Sequence, residues 1–198
     1  MIPSVDVSRM TRRSLAACFL LLAAGLALPG CGRSRGSRGA EAPDPSGVFS
    51  SLSYTQALDE ARAGNRLVML DVYTDWCGWC KKLDKDTFSN PVIAEILNSQ
   101  FYPVKFNAES KEPVVFQGRT FVNDGKLGPT HQLAYALLQG KLGYPTVVFL
   151  TAKSELITPV SGYKTAKDFE PMLQYFGGTT WQKQSYEDFL KTFQGKVQ

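Results

Sequence analysis

The sequence has few of the residues from which metal sites are built. Its 198 residues include one histidine, His131, and four cysteines, Cys18, Cys31, Cys77 and Cys80. Because zinc sites take three or four protein ligands, a copper- or zinc-binding carrier is a poor match and would need His131 beside the cysteines. We expect His131, near the start of a predicted helix, to be a surface residue or a helix cap, and we expect no metal and no other cofactor.

The sequence also lacks a large excess of positive or negative charge. The net charge is +4, and no block of lysine or arginine with interleaved aromatic residues occurs. This balance is too small and too scattered to indicate nucleic-acid binding. The chain is long enough for one domain with a sizeable core.

The first thirty residues have the pattern of an export signal. Arg9, Arg12 and Arg13 precede an apolar run from Ser14 to Gly30, the length of a signal-peptide core with its cleavage site and short of the roughly 20 apolar residues of a membrane span. We therefore predict that residues 1–30 are a signal peptide.

The end of this segment, "LALPGC", resembles the lipobox of bacterial lipoproteins, although its proline is unusual there. The resemblance implies that Cys31 is the lipidated first residue of the mature protein. The alternative is a plain secreted protein that is cut nearby. Residues 31–47 are rich in Gly, Ser, Arg and Pro and are predicted to form a flexible tether, leaving residues 48–198 as the folded domain.

Only Cys77 and Cys80 remain in the predicted folded part. Disulfides persist in exported proteins, but this pair would close a very small loop and so constrain the unfolded chain little. A purely structural disulfide is therefore not favoured, and a redox pair is.

Hydrophobic periodicity predicts alternating strands and helices, and hence an α/β fold with a mixed central sheet flanked by helices. A small hairpin is predicted to turn at Gln117–Gly118. Pro171 would be expected to kink or end its predicted helix unless it lies in the first turn. The predicted strands cover 67–74, 101–108, 144–152 and 156–163, and the predicted helices cover 53–66, 77–88, 92–100, 130–142, 166–178 and 185–195.

Cys77 lies where an apolar strand gives way to a helix. Unpaired N–H groups and a partial positive charge at a helix start stabilise a thiolate, so the thiol pKa is expected to fall below its free value of about 8.5. We expect Cys77 to be the more exposed, attacking cysteine and Cys80 the deeper, resolving one. Trp76 and Trp79 offer an apolar surface for a partner.

The stretch "LVMLDVYTDWCGWCKK", residues 67–82, resembles the active-site strand and helix of thioredoxin, with Trp79 where that family usually has proline. Asp71, Lys105 and "GYPT" at 143–146 match other thioredoxin elements. The longer "DWCGWCKKLDKDTFSNP" is similar to the C-terminal domain of DsbD and to related exported thioredoxin-like lipoproteins. The likeness extends over residues 67–177 and implies a thioredoxin-like fold with an insertion before the cis-proline strand.

The resemblance also implies roles for individual residues. Asp71, whose pKa burial should raise, would relay the Cys80 proton through a water, with Lys105 beside it; a purely structural Asp71–Lys105 pair is the alternative. Pro145 would be cis rather than an ordinary trans turn proline. The expected substrate contacts are Trp76, Gly78, Trp79 and the Tyr144 backbone.

These expectations describe a monomeric thiol–disulfide oxidoreductase, lipid-anchored on the periplasmic side of a bacterial membrane. It would reduce disulfides of exported proteins with electrons from an upstream thiol donor. Whether such a protein reduces or oxidises its partners depends on differences of tens of millivolts in the reduction potential of the cysteine pair. The sequence does not specify that potential. A redox-inactive partner-binding or chaperone-like module is the alternative. The insertion at 109–130 either covers the sheet or shapes partner choice.

Overall fold

A computed structural model describes residues 48–49, 54–64 and 66–198. The predicted signal peptide 1–30, the predicted lipidation site Cys31 and the predicted tether 31–47 therefore lie outside the described residues. Within the described residues, every helix is too short or too polar to cross a bilayer.

A four-stranded mixed sheet forms the centre of the fold. The strands are β1 Leu67–Tyr73, β2 Phe101–Asn107, β3 Val114–Phe116, β4 Arg119–Phe121, β5 Thr146–Leu150 and β6 Leu156–Ser161. The order in the sheet is β2-β1-β5-β6; β1 pairs with β2 in parallel and with β5 antiparallel, and β5 pairs with β6 antiparallel. A separate hairpin of β3 and β4 lies between β2 and β5 in the chain.

Helices flank this sheet as predicted. Each face of β1 contributes to a different buried cluster, because side chains alternate along a strand. Val68, Leu70 and Val72 belong to the cluster that includes residues of α1 and α4, whereas Met69 belongs to the cluster with residues of α3 and α5. The helices are α1 Tyr54–Gly64, α2 Gly78–Leu83, a π-helical segment Asp84–Phe88, α3 Pro91–Gln100, α4 Gln132–Leu137, α5 Ala166–Gly177, a 3-10 turn Thr180–Gln182 and α6 Tyr186–Leu190.

Local sequence signals account for several boundaries. Asn90 caps α3 through its side chain, and Pro91 occupies the first helical turn, where its missing N–H costs nothing. The predicted hairpin turn has positive φ at both Gln117 and Gly118, the geometry that suits a two-residue hairpin loop. These elements confirm the predicted start of α3 and the predicted turn.

Three predicted elements differ from the structure. The helix at 77–88 is an α-helix that becomes π-helical at Asp84. α4 ends at Leu137, because Gln139 and Gly140 adopt positive φ. Pro171 is the sixth residue of α5 rather than part of its first turn; the helix continues through it because the apolar face on both sides is buried.

Candidate active site

Cys77 and Cys80 form a disulfide at the start of α2. The S–S distance is 2.09 Å and the two Cα atoms are 5.3 Å apart. Cys77 is the N-cap of α2, and the Cys80 backbone N–H lies 3.1 Å from the Cys77 Sγ atom to which it donates. β1 ends at Tyr73 and the Cys77 N–H donates to the Thr74 carbonyl, so a tight turn carries the first cysteine onto the helix start.

Both cysteines are buried in the disulfide form. Cys77 is 4% exposed and Cys80 is 2% exposed. Cys77 is thus the more exposed of the two, as expected, but only by a small margin in this form. The neighbouring Trp76 and Trp79 are 67% and 59% exposed, so the apolar surface predicted beside the pair is present.

Strand pairing brings the proline loop to the end of the sheet that carries the cysteines. Val72 pairs with Thr146 across the antiparallel β1–β5 ladder, which puts the end of β1 level with the start of β5. The Tyr144–Pro145 bond is cis, as predicted. The Pro145 carbonyl accepts the Gly162 N–H at 2.8 Å, which ties this loop to the end of β6.

Asp71 and Lys105 form an ion pair in the two strands that lead to this end of the sheet. They are register partners in the parallel β1–β2 ladder, and the Lys105 Nζ atom lies 3.0 Å from an Asp71 carboxylate oxygen. Asp71 is fully buried. The predicted neighbourhood of these two residues is thus present, while the roles assigned to them stay predictions.

Sequence reasoning missed Asp84, which shares the same cation. Its carboxylate lies 2.6 Å from the Lys105 Nζ atom. Burial alone would lower the pKa of Lys105, but Asp71 and Asp84 outweigh burial and raise that pKa above its ordinary value. An acidic residue one helical turn after Cys80 was the available signal for this second partner.

Each exposed tryptophan pairs with a tyrosine. The ring centroids of Trp76 and Tyr144 are 6.1 Å apart, with the rings nearly perpendicular. Those of Trp79 and Tyr163 are 5.5 Å apart. Tyr163, two residues after the end of β6, had not been identified from the sequence as a residue beside the cysteines. Gly78 lies between the tryptophans, and a side chain there would meet no atom within 4 Å, so packing alone does not require a glycine.

His131 is a buried cap rather than a surface residue. It is fully buried and is the N-cap residue before α4, where its Nδ1 atom accepts the Leu133 N–H at 3.0 Å. Its Nε2 atom lies 3.2 Å from the Glu112 carbonyl. Burial, only partly offset by that carbonyl, lowers the pKa of His131. Within the described part of the chain, no group of three or more His, Cys, Asp or Glu residues is placed to hold a metal ion.

Comparison with known proteins gives one family and several relatives. The family described as "Thioredoxin-like domain" matches residues 54–177. The thiol:disulfide interchange protein DsbD of Klebsiella pneumoniae is 32% identical over 131 residues, which are 64% of this chain and 19% of that protein. DsbD of Salmonella typhi is 30% identical over 122 residues, 61% of this chain and 18% of that protein. This chain thus spans less than a fifth of the length of these curated relatives.

Among solved structures, a thioredoxin from Thermus thermophilus aligns with a TM-score of 0.50 at 20% identity. The alignment covers 68% of this chain and 93% of that one. At this identity the likeness concerns the fold, and it agrees with the mixed sheet and flanking helices described above.

Proposed function

The chain belongs to the thioredoxin-like domain family, and on that premise we propose that it is a thiol–disulfide oxidoreductase that reduces disulfides of exported proteins. The observation that carries this proposal is the Cys77–Cys80 disulfide at the start of α2, between two exposed tryptophans. A buried pair of inert cysteines would not be expected to have such an accessible apolar rim.

In the proposed reaction, the Cys77 thiolate of the reduced protein attacks one sulfur of a substrate disulfide. A mixed disulfide forms and one substrate thiolate leaves. The Cys80 thiolate then attacks the Cys77 sulfur, which closes the Cys77–Cys80 disulfide and releases the second substrate thiolate. Two electrons pass to the substrate, whose thiolates take up two protons, and an upstream thiol donor restores the dithiol.

The capping geometry supports Cys77 as the attacking residue. Its sulfur accepts a backbone N–H at the start of α2, and such contacts favour the thiolate over the thiol. We propose that Asp71 exchanges the Cys80 proton through a water. The contact with Lys105 is compatible with this relay and with a purely structural pair. Trp76, Gly78, Trp79 and the Tyr144 backbone are proposed to contact the substrate.

The reductive direction rests on the resemblance to the C-terminal domain of DsbD.

Cys80→Ser should trap mixed disulfides through Cys77, because the resolving thiolate is gone. We expect discrete adducts on non-reducing gels that disappear with dithiothreitol. The matched variant Cys77→Ser should trap none, and the unsubstituted domain should reduce insulin.

A redox-inactive binding or chaperone-like module predicts the opposite pattern. It would capture the same partners with Cys77→Ser as without it, and Cys80→Ser would yield no covalent adducts. Absence of adducts together with failure to reduce insulin would eliminate the oxidoreductase proposal.

We propose that the protein is exported as a monomer and held at the periplasmic side of a membrane by a lipid on Cys31. A tether of residues 31–47 would give the domain a root-mean-square reach of about 20–24 Å. In cells fed labelled fatty acid, the protein should carry the label, and Cys31→Ala should lose it because the acceptor thiol is gone. Cys18→Ala is the matched control, because Cys18 lies in the predicted cleaved segment, and it should keep the label. An unlabelled protein, or equal labelling of Cys31→Ala, would rule out the lipid anchor.

A further inference from the structure

The insertion between β2 and α4, residues 109–130 and here called the inserted segment, begins and ends beside the active site. The residue before it, Ala108, donates its N–H to the Tyr73 carbonyl at the end of β1, and the residue after it, His131, donates to the Ala108 carbonyl. The Asn123 side-chain amide donates to the carbonyls of Glu109, Ser110 and Pro129, at 3.1, 3.1 and 2.6 Å. Both ends of the segment are therefore held together near the cysteine-bearing turn.

The middle of the inserted segment covers the core. The Phe116 ring of its hairpin stacks on Tyr54 of α1 with centroids 5.8 Å apart, and it contacts Phe121 edge-on. This packing agrees with a covering role for the hairpin but leaves the function of the two ends unexplained.

The start of the inserted segment contacts Trp76, one of the exposed tryptophans beside the cysteines. The Trp76 indole Nε1–H donates to a Glu109 carboxylate oxygen at 3.1 Å. Trp76 in turn lies edge-on to Tyr144, the residue before the cis-proline. Burial raises the pKa of Tyr144, and the negative charge of Glu109 raises it further. Glu109, the first residue of the segment, thus acts on both members of this aromatic pair.

An exposed tryptophan needs such a contact to keep one orientation. Trp76 is 67% exposed, so packing restrains its two side-chain torsions weakly, and ordering a side chain on binding costs affinity. A carboxylate acceptor on the indole nitrogen removes part of that cost before the partner arrives.

We infer that Glu109 is a positioning residue for substrate binding, which holds the Trp76 indole against Tyr144 so that the inserted segment shapes the surface on which a disulfide-bearing polypeptide lies. This inference rests on the proposed function. Glu109 touches no reacting sulfur in it, and its effect is expressed in binding of the polypeptide on either side of the disulfide.

Three variants test the inference with insulin as substrate. Glu109→Ala removes the acceptor and should raise KM about threefold, as expected for an exposed hydrogen bond, while kcat changes by less than the KM does. Glu109→Gln keeps an acceptor oxygen and should restore most of the affinity. Glu112→Ala is the matched control: it deletes a carboxylate of the same segment whose side chain is exposed, and it should leave KM unchanged.

A spectroscopic readout reports the contact itself. The Trp76 indole N–H proton resonance, identified by its loss in Trp76→Phe, should move in Glu109→Ala and stay in place in Glu112→Ala. An unchanged KM in Glu109→Ala would overturn the inference, and so would equal effects of the Glu109 and Glu112 substitutions. Failure of the unsubstituted protein to reduce insulin would instead overturn the proposed function, and with it this inference.

Discussion

Lys105 holds two carboxylates at once, and this shared cation is the main electrostatic feature of the candidate site. The Asp71–Lys105 contact could be expected from the sequence, because the resemblance supplies both residues and a parallel ladder places them as register partners. The contact with Asp84 was not expected. An acidic residue one helical turn after Cys80 indicates only a place beside the cysteine helix, and the folded chain is needed to bring Lys105 of β2 to it.

The burial of this cluster predicts a large cost for removing its cation. Lys105→Met would take the cation away from the fully buried Asp71, and losing the opposite charge of a buried ion pair typically costs about 3 kcal/mol in the free energy of unfolding. Urea denaturation at pH 7 measures it. Lys82→Met is the matched control, because Lys82 pairs with Asp86 at the surface and an exposed ion pair contributes little to stability. Equal losses in the two variants would contradict the prediction.

The same cluster predicts a pH dependence. The folded-state pKa of Lys105 is raised, so its stabilising contribution is fully present below the ordinary lysine pKa of about 10.4 and is lost as pH rises through the folded-state value. The stability difference between the unsubstituted protein and Lys105→Met should therefore be constant from about pH 7 to 9 and shrink only at more alkaline pH. A difference that already shrinks within the neutral range would argue against this assignment.

At the scale of helices and strands, the elements that could be predicted are those specified by residues close together in the sequence. β1 was predictable because five of its seven residues are buried and the sequence reads as a nearly continuous apolar run, interrupted only by Asp71. The β3–β4 turn was predictable from Gln117–Gly118, since a two-residue hairpin loop needs positive φ. Both signals lie within a few residues of the structure they specify.

Contacts between distant segments were not predictable in this way. Glu170 of α5 is buried, and its carboxylate accepts the backbone N–H groups of Lys196 and Val197 near the end of the chain. A glutamate in a helix is ordinarily read as solvated. Only the folded chain brings these N–H groups to it, and they satisfy a carboxylate that burial would otherwise penalise.

The inserted segment contains both a local element that the sequence predicts and a long-range contact that it does not. Its hairpin was predictable, and its covering role was one of the two alternatives that the sequence left open. The Glu109–Trp76 hydrogen bond joins residues 33 positions apart, and neither residue type signals the other. The other alternative, a role in partner choice, could therefore be tied to a particular residue only once the fold had placed Glu109 beside Trp76.

At the scale of the whole molecule, the candidate site is a product of sheet topology. The strand order β2-β1-β5-β6 places β1, which is followed by the cysteine-bearing turn, between β2, which carries Lys105, and β5, which follows Pro145. Asp71, Lys105 and Pro145 are far apart in the chain and could be assembled from the sequence only through the family resemblance. Periodicity alone gives strands but no order.

The direction of electron flow is likewise a property of the whole molecule, since folding and disulfide formation are thermodynamically linked. If the native state favours the Cys77–Cys80 disulfide more than the unfolded chain does, the oxidised form has the larger free energy of unfolding, and the reduced form is a good reductant. Each 30 mV of potential corresponds to about 1.4 kcal/mol of this difference.

The proposed reductase role therefore predicts that the oxidised protein unfolds at higher urea concentration than the same protein in dithiothreitol. A shift of about 1–3 kcal/mol is expected for a potential tens of millivolts below that of the unfolded pair. The double variant Cys77→Ser/Cys80→Ser is the control, and its unfolding should not respond to dithiothreitol. A reduced form that is the more stable would assign the pair to disulfide formation instead, and it would contradict the reductive direction while leaving the oxidoreductase chemistry of the pair intact.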